Sequence, residues 1–184
     1  LVDTLDGTKE FIKRNGEFTV NIAYLENKKP IIGVICIPVK NIFYFTNGYE
    51  SFKSNSNGKV TKITGETYTN LTNIVTSRSH LDDKTVNILN KIKNKRIFKM
   101  GSSIKFCLIA EGKANLYFRF GNTMEWDVAA GHAILKSADS YLTDLSFNEL
   151  KYGKRGFLNP PFVAFSNINK KHEETIKKHI ANIK

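Results

Sequence analysis

The chain has 184 residues, 41% of them hydrophobic and 24% charged, with a formal net charge of +11. That length suits one domain, or two small ones that share a core, and excludes an elaborate multidomain enzyme; the aliphatic content excludes disorder as the main state. The longest apolar run, Pro30 to Val39, is broken by Gly33 and Pro38 and falls well short of the roughly 20 residues that cross a bilayer, so no integral membrane segment is expected.

The elements follow in chain order. Residues 18–25, 30–37 and 41–46 are short apolar or β-branched runs separated by Glu26-Asn27-Lys28-Lys29 and Pro38-Val39-Lys40, a pattern that predicts an antiparallel meander. Residues 47–73 are polar, with a turn at Asn55-Ser56-Asn57-Gly58; a hairpin excursion and a domain joint are expected there, dividing the chain into 1–73 and 74–184. Beyond residue 74 strands and helices alternate, the mark of an α/β layer. Strands are expected at 74–76, 96–100, 114–120 and 162–165. Asp82 or Asp83 caps a helix that turns Val86, Leu89 and Ile92 inward, and Ser102 or Ser103 caps another that stops at Gly112. Residues 125–138 form a helix rich in small side chains, and Ile176, Ile180 and Ile183 line one face of a last helix.

The 28 basic residues are 23 Lys and 5 Arg, set among many Asn and Ile, a bias that looks like AT-rich coding. Residues 1–50 hold six bases and six acids, residues 51–150 fourteen and nine, and residues 151–184 eight and two. With no Arg-rich helix, zinc finger or aromatic ribonucleoprotein signature, no nucleic-acid partner is expected, whereas a positive field also draws phosphorylated small molecules. Cys36 and Cys107 lack metal-ligand spacing and read as reduced thiols of a cytoplasmic protein.

The chemistry concentrates in a few places. In Asp3-Thr4-Leu5-Asp6-Gly7-Thr8, two carboxylates three residues apart end an apolar strand and can converge on hard cations, with the Leu5 carbonyl as a further oxygen ligand. If a helix begins here, the N–H groups of Gly7 and Thr8 can hold a phosphate oxygen. Taken alone, the motif is better explained as an Asx-turn and a helix cap. Asp127, in Glu125-Trp126-Asp127-Val128-Ala129-Ala130-Gly131, opens a helix whose small residues let it pack closely; alone it too reads as a cap. Ser77-Arg78-Ser79-His80 follows a strand, and Gly101-Ser102-Ser103-Ile104-Lys105 is a Gly-Ser turn with Lys in the next helical turn, an anion site in outline without the full phosphate-loop pattern. Leu116 to Phe120 reads as a buried strand that ends in one functional arginine, Arg119.

In this order, and together with Glu17-Phe18-Thr19-Val20-Asn21 and Phe157-Leu158-Asn159-Pro160, these segments resemble the inositol monophosphatase superfamily of metal-dependent phosphatases. Lys9-Glu10-Phe11, Ser77 to His80 and the Gly-Ser-Ser-x-Lys turn resemble its 3′(2′),5′-bisphosphate nucleotidase branch. The resemblance implies a layered αβαβα sandwich, α/β with an α+β first part, and a phosphomonoesterase that converts adenosine 3′,5′-bisphosphate to AMP with two or three Mg²⁺ ions. It implies that Asp3, the Leu5 carbonyl, Asp6 and Asp127 bind metal, and that Gly7 and Thr8 contact the scissile phosphate, with Asp3, Asp6 and Thr8 catalytic. His80, Ser102, Ser103, Lys105 and Arg119 would hold the nucleotide and its other phosphate, a small-molecule partner. A cytoplasmic location is implied, at most peripheral to the inner membrane. Thr4 stands where the family carries Pro, which changes turn rigidity more than ligand identity. The family also carries an earlier segment with a metal-binding glutamate and an acid that works with the Thr8 hydroxyl; on the resemblance, that segment precedes Leu1 or is separately encoded, and a core face made for its helices is exposed. The alternatives are an inositol or sugar monophosphatase of the same superfamily, or a catalytically dead remnant or half of a split protein.

Overall fold

The structure, a computed structural model, describes residues 1–65, 72–166 and 174. Its first sheet is an antiparallel meander in which each strand pairs with its neighbour in sequence: β1 (Val2–Asp6), β2 (Thr19–Glu26), β3 (Lys29–Ile37), β4 (Ile42–Thr46), β5 (Ser51–Ser54) and β6 (Val60–Ile63). A short helix, α1 (Thr8–Ile12), bridges β1 and β2. The second sheet holds β7 (Thr72–Ser77), β8 (Lys95–Met100), β9 (Leu116–Arg119), β10 (Ser140–Asp144) and β11 (Phe162–Ser166) in the order β10-β11-β9-β7-β8, with β7 parallel to β8 and β9 and the rest antiparallel. Helices α2 (Asp83–Lys91), α3 (Ile104–Ala110) and α4 (Glu125–Lys136) complete it.

The side-chain alternation of the strands assigns the layers. In β9 and β11 both faces are buried, as in a covered sheet. Leu116, Phe118, Val163 and Phe165 join Ile88 and Leu89 of α2 and the adjoining Ile92 on one side, while Tyr117, Phe162 and Ala164 join α3 and α4 on the other. In the meander the inward residues Ala23, Ile35, Ile37 and Tyr44 enter that same second cluster. Helices α3 and α4 are therefore sandwiched between the sheets, and the main apolar cluster spans the expected boundary at residue 73. The described residues form four layers of an α/β sandwich: meander, α3 with α4, second sheet, α2. Among the described residues no helix covers the outer face of the meander, where Val2, Ile22, Val34, Phe45 and Phe52 stand in register across five strands, and Val2, Ile22, Tyr24, Ile32 and Phe43 are exposed.

Helix α4 packs so closely because its contact residues are small. A Cβ on Gly33 of β3 would lie 2.4 Å from the carbonyl oxygen of Ala130, and one on Gly131 would lie 2.4 Å from the ring of Phe106. The N-terminus of α4 is held by the 153–159 loop. Asn159 Nδ2 donates to Met124 O at 2.8 Å and the Glu125 N–H to Phe157 O at 2.8 Å. The fully buried Glu125 accepts from the N–H groups of Gly153 and Lys154 at 2.8 and 2.9 Å and from Lys154 Nζ at 2.6 Å. Burial works to raise its pKa, but Lys154 and the two N–H groups outweigh it and hold the carboxyl below the usual range. Because the folded value is depressed, the stabilisation is present at neutral pH and fades as pH falls through that range. Glu125→Gln is expected to cost about 2 kcal/mol at pH 7. Urea unfolding checks it: the midpoint falls with the slope unchanged, and the difference narrows below about pH 4.

Several expectations are corrected. The hairpin at 51–63 is no excursion: β5 and β6 extend the meander, closing through the Asn55–Gly58 turn. Strand β9 ends at Arg119 and starts at Leu116, shorter than the expected 114–120. Asp82, not Asp83, caps α2, accepting from Thr85 N at 2.9 Å, and Ile88 takes the inward place expected of Val86, which is half-buried. Ser103 precedes α3 but makes no capping bond, its hydroxyl being engaged elsewhere. Strand β10 was not anticipated. The last helix expected near 176–183 lies outside the described residues.

Candidate active site

Asp3 and Asp6 are an odd number of residues apart, so a regular strand would send them to opposite faces. The β1–β2 register removes the conflict: Asp3 pairs with Asn21 and Asp6 with Thr19, three steps against two, so a bulge brings both carboxylates to the inner side. Gly7 follows in the left-handed region at φ +87, where a side chain would also meet the Glu17 carbonyl and Ser102. The chain turns there into α1, whose first bond runs from the Phe11 N–H to Gly7 O at 2.9 Å. The helix conditionally expected after Gly7 is therefore present.

Each carboxylate has one oxygen tied down. Asp3 Oδ1 accepts from the Leu5 N–H at 3.0 Å; Asp6 Oδ2 accepts from the Ser103 N–H at 2.6 Å and from Asn21 Nδ2 at 3.3 Å; Asp127 Oδ2 accepts from the Met124 N–H at 2.7 Å. Asp127 thus does cap α4, and Asp3 lies close enough to raise its pKa. Behind Asp6, the Ser103 hydroxyl lies 2.7 Å from both Thr19 Oγ1 and Asn21 Oδ1, a buried polar cluster that ties the strand end to α3. Burial, then Asp6 and Asp3, push the Asp127 pKa up to about 6; burial and Asp3 raise that of Asp6 against the pull of Lys105. Burial and neighbouring negative charge thus disfavour the ionised forms of Asp6 and Asp127, and three carboxyls, each with one oxygen fixed, have the chemistry that suits hard cations. Among the described residues no three His, Cys, Asp or Glu side chains form a closed metal cluster by themselves.

Asp6 and Asp127 face a cleft of about 380 Å³ between the two sheets, lined also by Gly7, Thr8, His80, Ser102, Ser103, Lys105 and Arg119. Neither Asp3 nor Leu5 is among its lining residues, although Asp3 is close enough to act on Asp6 and Asp127. Arg119 donates to the carbonyls of His80 at 3.4 Å and Asn122 at 3.1 Å, leaving its buried Nε without a partner; the buried Ser102 hydroxyl also has none, and its residue stands at φ +47. Lys105 is buried over the Tyr117 ring at 5.3 Å and donates to the Ser102 carbonyl; burial lowers its pKa to about 8, with Asp6 opposing. Burial, then Lys9 and Arg119, lower that of His80. Lys9, Glu10, Ser77, Asn122 and Thr123 line the cleft as well and were not singled out for it by sequence; Lys9 and Glu10 directly follow the Gly7-Thr8 turn, a position that could have marked them.

The Inositol monophosphatase family pattern matches residues 1–184. The chain belongs to this family. A curated member, the 3′(2′),5′-bisphosphate nucleotidase CysQ of Salmonella typhimurium, is 46% identical over 163 residues, 88% of this chain and 65% of that protein; the chain thus spans just under two thirds of its length. The crystal structure of CysQ from Bacteroides thetaiotaomicron superimposes with a TM-score of 0.84 at 41% identity, over 91% of this chain and 69% of the other. A calcium-bound family protein from Staphylococcus aureus shares the fold at 19% identity and a TM-score of 0.75, over 97% of this chain and 66% of the other. Family enzymes are metal-dependent, and in this member the cleft carboxylates are the side chains chemically suited to that dependence. No helix among the described residues is long and apolar enough to cross a membrane.

Proposed function

We propose that this chain carries the cation- and substrate-binding residues of a Mg²⁺-dependent phosphomonoesterase that removes the 3′-phosphate of adenosine 3′,5′-bisphosphate to give AMP. The observation that carries the reading is that one cleft gathers the carboxylates Asp6 and Asp127, with Asp3 nearby, and the cations Lys9, Lys105 and Arg119 beside His80. The relatives named as bisphosphate nucleotidases support the choice of substrate.

Asp3, the Leu5 carbonyl, Asp6 and Asp127 hold the cation, which fits a site whose carboxyls otherwise repel one another. Bound there, Mg²⁺ supplies a polarised water and charge neutralisation at the leaving 3′-oxygen. Gly7 and Thr8 orient the scissile phosphate, and the Thr8 hydroxyl holds the attacking water in line. Ser102, Ser103, His80, Lys105 and Arg119 take the nucleotide and its 5′-phosphate, the orphaned Ser102 hydroxyl and Arg119 Nε finding partners on it. Lys105 carries its positive charge below about pH 8. The unpaired thiols Cys36 and Cys107 accord with a reducing cytoplasm.

The test is phosphate release with Mg²⁺ from adenosine 3′,5′-bisphosphate, set against inositol monophosphate; preference for the inositol ester would sink the substrate assignment. A binding readout accompanies it. Asp127 has its folded pKa raised to about 6, so in cation-free buffer its contribution to stability is full below the unfolded value and is lost as pH rises through 6. Cation binding needs the deprotonated form. The rise in melting temperature on adding Mg²⁺ is therefore expected to be larger at pH 8 than at pH 5, and an equal rise at both would exclude Asp127 as a ligand.

A further inference from the structure

On the nucleotide-binding side of the cleft, Ser77 and His80 sit at 77–80, where β7 ends, and Ser102 and Ser103 at 101–103, after β8, and neither segment carries an apolar side chain of its own. Both are fastened to one carboxylate outside the cleft. Glu17, in the loop before β2, accepts from Arg78 Nε at 2.7 Å and Nη2 at 2.6 Å, in the two-pronged geometry available only to a guanidinium, and from the Gly101 N–H at 2.7 Å. Arg78 in turn binds the end of β8, which leads into the second segment, its N–H donating to Met100 O at 3.2 Å and its Nη2 to Lys99 O at 2.8 Å. Glu10 adds a further tie, accepting from the Ser79 hydroxyl at 2.6 Å. The join leaves no slack: a Cβ on Gly101 would lie 2.5 Å from Glu10 Cγ and 2.7 Å from the Glu17 carbonyl oxygen. Glu17 and Arg78 do not line the cleft, yet Ser77, His80, Ser102 and Ser103, which do, lie within three residues of Arg78 or Gly101.

We propose that the Glu17–Arg78 pair, joined to the Gly101 N–H, is a positioning device that sets the nucleotide-binding side of the cleft relative to the carboxylates, and so governs affinity for the second phosphate and the nucleoside without serving the hydrolytic step. The inference rests on the proposed function for its substrate. Side-chain exposures of 15% for Glu17 and 40% for Arg78 place the pair where substitution is compatible with folding. Its strength comes from geometry more than charge alone, since an exposed pair without the fork and the Gly101 bond contributes little.

Glu17→Gln keeps the size and loses the charge. It is expected to raise KM for adenosine 3′,5′-bisphosphate about tenfold, the usual effect of removing a group that orients ligand-binding residues. Both kcat and the hydrolysis of p-nitrophenyl phosphate, a small monoester that engages the carboxylates, should stay within about twofold, as expected when only binding common to ground and transition states is lost. Arg78→Gln should do the same, and the double variant should be no worse than either single, because each removes the same interaction. Equal losses on both substrates, or an unchanged KM in both variants, would overturn the proposal. Amide hydrogen exchange separates its failure from failure of the functional reading: residues 77–80 and 101–103 should exchange faster in Glu17→Gln whatever the substrate proves to be, and unchanged exchange there overturns the positioning role.

Discussion

Replacing Asp6 by Asn is expected to lower kcat/KM by at least about 10³-fold, equivalent to ~4 kcal/mol of transition-state stabilisation, while the cation-free protein melts higher. Asn preserves the shape and one acceptor oxygen for the Ser103 N–H, which lies 2.6 Å away, so the turn at Gly7 and the contact with α3 persist. What disappears is a buried negative charge that burial and Asp3 both disfavour, the sense of its raised pKa. Lys105 works the other way and loses a counter-charge, but the net direction at Asp6 already includes it. Relief of about 1 kcal/mol corresponds to a rise of roughly 2–4 °C in a chain of this size. Loss of activity together with gain of stability is the mark of a group kept for function. A variant retaining a tenth of the activity, or melting lower in cation-free buffer at pH 8, would contradict the role given to Asp6.

Gly33→Ala should be strongly destabilising, because the methyl meets backbone on a facing element. Its Cβ would stand 2.4 Å from the Ala130 carbonyl oxygen, and both partners are backbone, one in the meander and one in α4, so no side chain can swing aside. Overpacking costs typically 1–3 kcal/mol; with two rigid elements opposed, about 3 kcal/mol is expected, a fall of roughly 6–12 °C in Tm. Gly58→Ala is the control: it has nothing within 4 Å but stands at φ +76, and should cost only about 1 kcal/mol. Thermal melts compare them, and near-equal losses would show that the contact between sheet and helix has room to give. Since Asp127 sits one helical turn before Ala130, the Gly33 variant should also lose activity in excess of its lost stability.

How far the sequence was legible follows the range of the forces involved. The meander strands, α3 and α4 follow from hydrophobic period and local punctuation, and the Ala-Ala-Gly of α4 announced a close approach without saying what would approach. Ser140–Asp144 escaped because its five residues alternate too weakly to stand out beside the end of α4, and it becomes a strand only by pairing with β11. Ser51–Ser54 is polar and is held by its neighbours in the sheet. In the cleft, Asp6, Gly7, Thr8, His80, Ser102, Ser103, Lys105, Arg119 and Asp127 were named from the chain and are found together. Glu17 and Arg78 stood in segments that carried the resemblance, but their pairing was not legible, because it is a contact across 61 residues and no local pattern encodes such a distance.

The strand order carries a consequence for how the protein assembles. The meander needs only hairpin closures between consecutive strands, steps of microseconds at low entropic cost. The second sheet is of another kind: its order β10-β11-β9-β7-β8 joins β7 to β9 across α2, β8 and α3, and β9 to β11 across α4 and β10, so its contact order is high and its formation slow. Asp3 and Asp6 belong to the meander, whereas Asp127 lies on α4, which packs against β2 and β3 from about 90 residues further along the chain. On the proposed function, the three carboxylates come together only once α4 has docked, so an ion held by all three would stabilise the finished molecule in preference to less folded forms.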